Sequence, residues 1–366
     1  MKFSVNRQLL LDAVQNLSRA VSPKSPTPVL EGILFKADKN QLLMMAYNLE
    51  MGMTKSLSVS CEKSGGTVLN ARLLLEILKR LNEQIIDVQI DEKMMCHIVS
   101  GTAGFDIAGM SPEDFPEMPS VKEDGVLIIP QGLLKNMVKQ TSFAVSQNES
   151  SRPVLTGILC EVKENNLRLV AIDGSRLAIR NAQIKNDTDQ KFIVSGKAFS
   201  EAVKTLEDKD ENITIRVGKK HICFESDGYL MISRLIEGEF IDYERSIPEE
   251  HQTSVKINNR EFAEIIERIS LIINDQIKNA VRCTFEENKI IFSCVSAVGK
   301  AKDELNIALE GNTFEIGFNS KFMLDALKAC ECDEAVLKFN GSTSAIVIEP
   351  VSGNEFLHLV MPMRLR

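Results

Sequence analysis

The sequence predicts an α+β protein built from three similar units in tandem, and two observations carry that expectation. The stretch "PVLEGILFKADKNQLLMMA" from Pro28 recurs as "PVLTGILCEVKENNLRLVA" from Pro153 and, more faintly, as "NAVRCTFEENKIIFSC" from Asn279. Around every copy, apolar residues alternate with period two and then switch to the i, i+3, i+4, i+7 spacing of a helix with one buried face. Within the repeat, Ile33, Ile158 and Val281 correspond, as do Leu42, Leu167 and Ile290.

Each unit opens on a short strand, marked by Phe3 and Val5, Leu127 and Ile129, and Val255 and Ile257. A helix follows, with stripes Leu10-Ala13-Val14-Leu17, Leu134-Met137-Val138-Thr141 and Phe262-Ile265-Ile266-Ile269. After the repeat core, "TVLNARLLLEILKRL", "FIVSGKAFSEAVKTL" and "EIGFNSKFMLDALKA" read as strand, small polar cap and second helix, aligning Ala71, Gly196 and Asn319. Strand pairs come next: "IDVQID" with "MMCHIVS", "ITIRVG" with "HICFESD", and "AVLKFN" with "SAIVIEP". "EDF" at 113–115 and "GEF" at 238–240 close the first two copies, and polar stretches at 120–125 and 248–253 separate the units. The expected domains are 1–121, 126–248 and 253–366, each large enough to bury its own core.

With 43 Lys and Arg against 51 Asp and Glu the chain carries a net charge of −8, unlike the basic excess of most nucleic-acid binders. The charge is unevenly placed. Predicted helices at 6–21, 70–82 and 131–146 carry +1, +2 and +2, whereas those at 196–207, 259–274 and 319–331 carry 0, −1 and 0. The carriers are Arg7, Arg19, Lys24, Arg72, Lys79, Arg80, Lys135, Lys139, Arg152, Lys197 and Lys204. One residue at a time, a solvated helix face with i, i+4 pairs such as Glu76 with Arg80 explains them. Taken together they form a surface that meets phosphates weakly and without regard to base sequence.

No apolar run reaches the length of a membrane span, and Arg7, Gln8 and Asp12 interrupt the leucines of the N-terminus, so a cytoplasmic location is expected. The eight cysteines form no CxxC pair and read as free thiols of a reducing compartment; no second pair or nearby histidine completes a metal site with Cys330 and Cys332. "SGKAFS" at 195–200 lacks the first glycine and the hydroxyl of a phosphate loop, and "DKDEN" from Asp208 lacks the glycine and glutamate of a calcium loop. The four histidines stand far apart, with no GxSxG serine to serve. No catalytic residue, metal or cofactor is proposed from these patterns. The chain ends on "HLVMPMRLR", where Leu359 continues a last strand, Pro362 stops the ladder and two methionines remain as adaptable apolar surface.

"PVLTGIL", "AIDGSRLAI", "EGEFIDYERSIP", "EIGFN" and "HLVMPMRL" together resemble the bacterial DNA polymerase III β subunits, the sliding-clamp family, over essentially the whole length. The resemblance implies three DNA-clamp domains in a head-to-tail homodimeric ring, with helices lining the inside and antiparallel sheets outside. Such a ring holds double-stranded DNA by topology, which suits a net negative chain because tight phosphate binding would hinder sliding. The basic residues above would then face DNA. The implied dimer contact sets Phe105, with Arg72 nearby, against Ile272 and Ile273 of the other chain. The implied partner pocket is lined by Leu155, Ile172, Gly174, Ser175, Arg176, Leu177, Ile241, Arg245, Asn319, Phe322, Thr343, Val360, Met361, Pro362, Met363 and Arg364. Its ligands would be short peptides of the replicative polymerase, the clamp loader, repair polymerases and mismatch-repair proteins, bound by apolar anchors and by Arg176, Arg245 and the Met361 backbone. Ser175, Ile241, Ser246 and Lys278 depart from the family pattern and leave peptide preference open.

Two other readings stay open on sequence alone. An enzyme on repeated α+β domains needs a convergent polar cluster, which no spacing supplies. A repeat-built assembly or scaffold protein without a nucleic-acid role needs only the repeats.

Overall fold

Asparagine side chains start four of the six α-helices found among the described residues. The computed structural model describes residues 1–122, 124–148, 152–186, 188–206, 211–273 and 280–365. The helices are α1 (Arg7–Leu17), α2 (Ala71–Arg80), α3 (Gln131–Ser142), α4 (Gly196–Val203), α5 (Asn259–Ser270) and α6 (Ser320–Ala329). Asn6, Asn70, Asn258 and Asn319 each accept a backbone N–H of the first turn, at 2.9, 3.0, 3.0 and 3.2 Å. Such a cap satisfies donors that the helix itself leaves unpaired. The caps correct the alignment of the second helices. Asn319 matches Asn70, one residue before Ala71, because the polar residue that begins the helix must stand outside it.

The apolar stripes lie inward: Leu10, Ala13, Val14 and Leu17 of α1, Leu134, Met137, Val138 and Thr141 of α3, and Phe262, Ile265, Ile266 and Ile269 of α5 are all buried. All six helices stop earlier than their periodicity suggests, α2 and α6 by two residues and α3 at Ser142 against the expected 146. After α1 the chain tightens into a 3-10 turn at Ser18–Ala20, where the Ser18 hydroxyl donates to the Val14 carbonyl at 2.6 Å. α4 and α5 end at Val203 and Ser270; residues 207 and 274, the expected ends, lie outside the described residues.

By its contacts the chain falls into two units, Met1–Gly132 with Glu201–Leu235, and Leu133–Ser200 with Ile236–Arg366. The first holds a five-stranded sheet in the order 60–63, 2–6, 85–90, 95–100, 103–108. It also holds an eight-stranded sheet in the order 125–130, 212–217, 221–226, 229–234, 51–58, 41–47, 32–38, 65–70. The second holds a nine-stranded sheet in the order 190–195, 157–163, 166–172, 176–183, 356–360, 346–350, 334–339, 253–258, 309–311. Its five-stranded sheet runs 299–306, 289–296, 281–285, 314–318, 362–363. Every strand pairing among the described residues is antiparallel. The two large sheets therefore each join strands of different repeats, 229–234 with 51–58 and 176–183 with 356–360.

The C-terminal tail is more ordered than its sequence suggests. Val360 ends a strand opposite Arg176, and the Met361 N–H donates to the Ser175 carbonyl at 2.8 Å. Pro362 and Met363 then pair with Phe318 and Gly317 of the five-stranded sheet. Proline thus moves the chain from one sheet to the next, and the strand does not simply stop there. Gly317 permits this approach, since a Cβ at that position would meet Leu365 at 2.5 Å.

Candidate functional site

The "IDGSR" turn is built around one carboxylate. Asp173 Oδ1 accepts the N–H groups of Ser175 and Arg176 at 2.9 and 3.1 Å, while Gly174 adopts φ +86°. Only glycine takes that conformation without strain. The turn aims Arg176 at α6: its guanidinium bonds Asp173 at 2.9 Å and Asp325 at 2.6 Å. The same group lies 4.5 Å from the Phe322 ring and 5.6 Å from the Phe143 ring. Arg176, with a side chain only 10% exposed, is therefore a strut between the turn and α6.

Beside this strut opens a cleft of about 470 Å³. Ile172, Gly174, Arg176 and Leu177 form one wall, Ile241 and Arg245–Pro248 a second, and Thr343–Ala345 with Leu359 and Met361 a third. The floor is apolar, because Ile172, Leu177, Ala345 and Leu359 belong to a buried cluster on which Leu155 and Ile241 also pack. Met361 is 44% exposed at the rim. Arg245 is exposed at another edge and held by Asp242 at 2.7 Å. The arrangement can hold the apolar side chains of an extended ligand and present charge at its margin.

Of the residues expected at a partner pocket, Ile172, Gly174, Arg176, Leu177, Ile241, Arg245, Thr343 and Met361 line this cleft. The others act behind or beside it. Val360 is fully buried, Asn319 caps α6, Phe322 stacks on Arg176, and Ser175 holds the Met361 backbone. Pro362 and Met363 are paired in the neighbouring sheet, and Arg364 is exposed. Ile247, Pro248, Ser344 and Ala345 line the cleft without having been singled out. The first two lie inside the quoted "ERSIP" motif, whereas nothing in the sequence sets the last two apart. Lys278 lies outside the described residues.

The basic residues differ in the partners they find among the described residues. Lys79 and Arg80 bond Glu76 at 3.1 and 2.6 Å, and Arg19 and Lys204 bond Glu201 at 3.3 and 2.7 Å. Lys139 pairs with Glu331, which also takes Asn136 of the same helix, and Arg7 donates to the Leu78 carbonyl at 3.3 Å. Lys135 is also engaged. Among the described residues no ion pair reaches Lys24, Arg72, Arg152 or Lys197, all exposed. The expected contact residues between chains are split as well. Phe105, 37% exposed, lies on 103–108 at the edge of a five-stranded sheet. Ile272 and Ile273 pack partly on the C-terminal core beside Leu271, which is 84% exposed.

Among the described residues no three His, Cys, Asp or Glu side chains are grouped to hold a metal, and no helix is long and apolar enough to cross a membrane. A larger cleft of about 770 Å³ is lined by Glu161, Arg168, Lys191 and Glu244, whose charges are spent on one another.

Comparison with known proteins covers nearly all of the chain. Family models of the DNA polymerase III beta subunit match in series, the N-terminal domain at 1–119, the central domain at 128–242 and the C-terminal domain at 244–364. The beta sliding clamp of Staphylococcus epidermidis is 31% identical over 375 residues, covering 100% of this chain and 99% of that protein. The DNA polymerase sliding clamp of Bacillus subtilis superposes with a TM-score of 0.96 at 30% identity, covering 100% of both chains. A DNA polymerase III beta subunit structure from Thermotoga maritima gives 0.93 at 29%, again with 100% of both chains covered. Three tandem clamp domains of α+β fold define a non-catalytic accessory protein of DNA replication. The chain belongs to the DNA polymerase III beta subunit family, the beta sliding clamps.

Proposed function

We propose that the chain is the processivity clamp of a DNA polymerase, closing as a head-to-tail homodimer around duplex DNA in the cytoplasm. Membership of the beta sliding clamp family along the full length is the observation that carries this reading. Domain limits of 1–121, 126–248 and 253–366 go with it. Two strands at sheet edges, 103–108 with Phe105 and 299–306, suit pairing between chains, with Ile272 and Ile273 contributing apolar surface. Arg7, Arg19, Lys24, Arg72, Lys79, Arg80, Lys135, Lys139, Arg152, Lys197 and Lys204 face the DNA. Because several of them share acidic partners, the hold on phosphate is loose, as sliding requires.

The cleft beside Arg176 takes short peptides of the polymerase, the clamp loader and repair proteins. Ile172, Leu177, Ile241 and Met361 receive the apolar end, and Arg245 meets a polar flank. The decisive experiment loads the protein on closed circular DNA and then linearises the circle. Retention on the circle with release from the linear form is expected; equal retention on both refutes the clamp. Joint replacement of Arg72, Lys135, Lys139 and Lys197 by Gln should lower loading and flatten its salt dependence. Unchanged loading would move the DNA face elsewhere.

A further inference from the structure

A turn at the end of α6 brings two thiols together. Cys330 follows the helix, Cys332 stands two residues on, and Glu331 between them takes φ +50°. Burial, and after it the neighbouring Cys332 side chain, push the Cys330 thiol up. Cys330 is buried, donates to the Ala326 carbonyl at 3.2 Å and lies 3.8 Å from Nδ1 of His358. Cys332 is half-buried, donates to the Glu334 carbonyl at 3.1 Å and accepts the Asn259 side-chain N–H at 3.3 Å. The left-handed turn at Glu331 shortens the path between the two cysteines, and a disulfide asks for Cα atoms roughly 4.4–6.8 Å apart.

We propose that Cys330 and Cys332 form a reversible dithiol–disulfide pair, with Cys332 as the attacking thiol and Cys330 as the resolving one. Its reactant is a low-molecular-weight disulfide, RSSR. The Cys332 thiolate attacks one sulfur of RSSR, forming a mixed disulfide and releasing one RSH. The Cys330 thiolate then attacks the Cys332 sulfur and displaces the second RSH. Two protein thiols thus lose two electrons and two protons, which leave on the two RSH molecules. Asn259 supports the order of attack, since its N–H favours the thiolate at Cys332. Burial raises both thiols, so the pair responds to a sustained disulfide load and resists brief exposure.

The ring that closes contains Glu331, the acid that holds Lys139 and Asn136 of α3. Oxidation therefore reaches from the end of α6 to α3. The test uses the full chain incubated with oxidised glutathione, alkylated, digested with trypsin and weighed. Residues 329–338 form one tryptic peptide with both cysteines, expected two hydrogens lighter and unalkylated. Cys61, half-buried and with no second cysteine within two residues, should keep its glutathione adduct. Cys330→Ser should trap the adduct on Cys332. Two alkylated cysteines in wild-type 329–338 after Cys61 has reacted fully, or a persistent wild-type adduct on Cys332, would overturn the pair. Amide exchange around Lys139 should quicken in the oxidised protein, and unchanged exchange would overturn the link to α3.

Discussion

Lowering the pH from 7.5 to 4.5 should loosen strand 356–360, in the middle of the nine-stranded sheet, through one side chain, His358. The imidazole is fully buried, its Nδ1 3.2 Å from the Ala326 carbonyl and its ring 5.1 Å from both Phe143 and Phe356. Burial pushes its pKa down to about 4; the Ala326 and Gln140 carbonyls partly offset this and Arg180 adds to it. The unfolded chain takes up a proton near the ordinary value of about 6.5, well before the folded one does. The native state thus prefers the neutral ring by about 3 kcal/mol. For a base held low the sign is definite. The contribution is complete above pH 6.5 or so and is lost as the pH falls towards 4. At pH 4.5 about 2–3 kcal/mol has gone.

Three domains need not unfold in one step, so the measurement should be local. Native-state amide exchange of Phe356–Val360 in wild type and in His358→Gln supplies it. Glutamine keeps a donor for the Ala326 carbonyl and does not titrate, so subtracting the two cancels the carboxylates that also protonate in this range. Wild-type protection should exceed that of the variant by about 2–3 kcal/mol more at pH 7.5 than at pH 4.5. Parallel curves across that window would refute the reasoning, whatever the absolute cost of the substitution.

Arg176→Ala leaves Asp173 and Asp325 without their shared cation and should cost about 3 kcal/mol of local stability around 172–177, read by amide exchange. Lysine should recover only part of this, because an ammonium cannot fork to two acids and stack on Phe322 as well. Met361→Asp should weaken a polymerase-derived peptide at least tenfold in a fluorescence titration with little change in melting temperature, since Met361 lies at the rim. Asn70→Ala and Asn319→Ala should each cost about 1 kcal/mol. The second should also reduce peptide affinity, because α6 carries the acid that steers Arg176.

The fold was legible where one physical rule dominates. Stripes such as Phe262-Ile265-Ile266-Ile269 could only be buried, and the repeat placed every helix. Helix ends were less legible, because Ser18 draws its hydroxyl back to the Val14 carbonyl and tightens the chain, an effect that periodicity does not carry. The site was half legible for a similar reason. Ile172, Leu177 and Met361 belong to the cleft by their own surfaces, whereas Ser344 and Ala345 are ordinary residues brought there by the pairing of 346–350 with 356–360.

Arg176 shows the harder limit, since a basic residue in a ligand motif reads as a ligand contact until its acids are located. Asp173 is three residues away and visible in the sequence, but Asp325 comes from another repeat through the turn of α6. Pro362 shows the converse. Its ring ends the possibility of donating to a ladder, yet its carbonyl side and the open approach at Gly317 let the chain enter a second sheet. Leu359 and Val360 are core residues of one sheet, and Pro362 and Met363 pair in the other. Removing 359–366 would therefore damage the fold before it tested a peptide. The exposed part of the tail that can be altered alone is the Met361 side chain, and the function of the segment should be judged there.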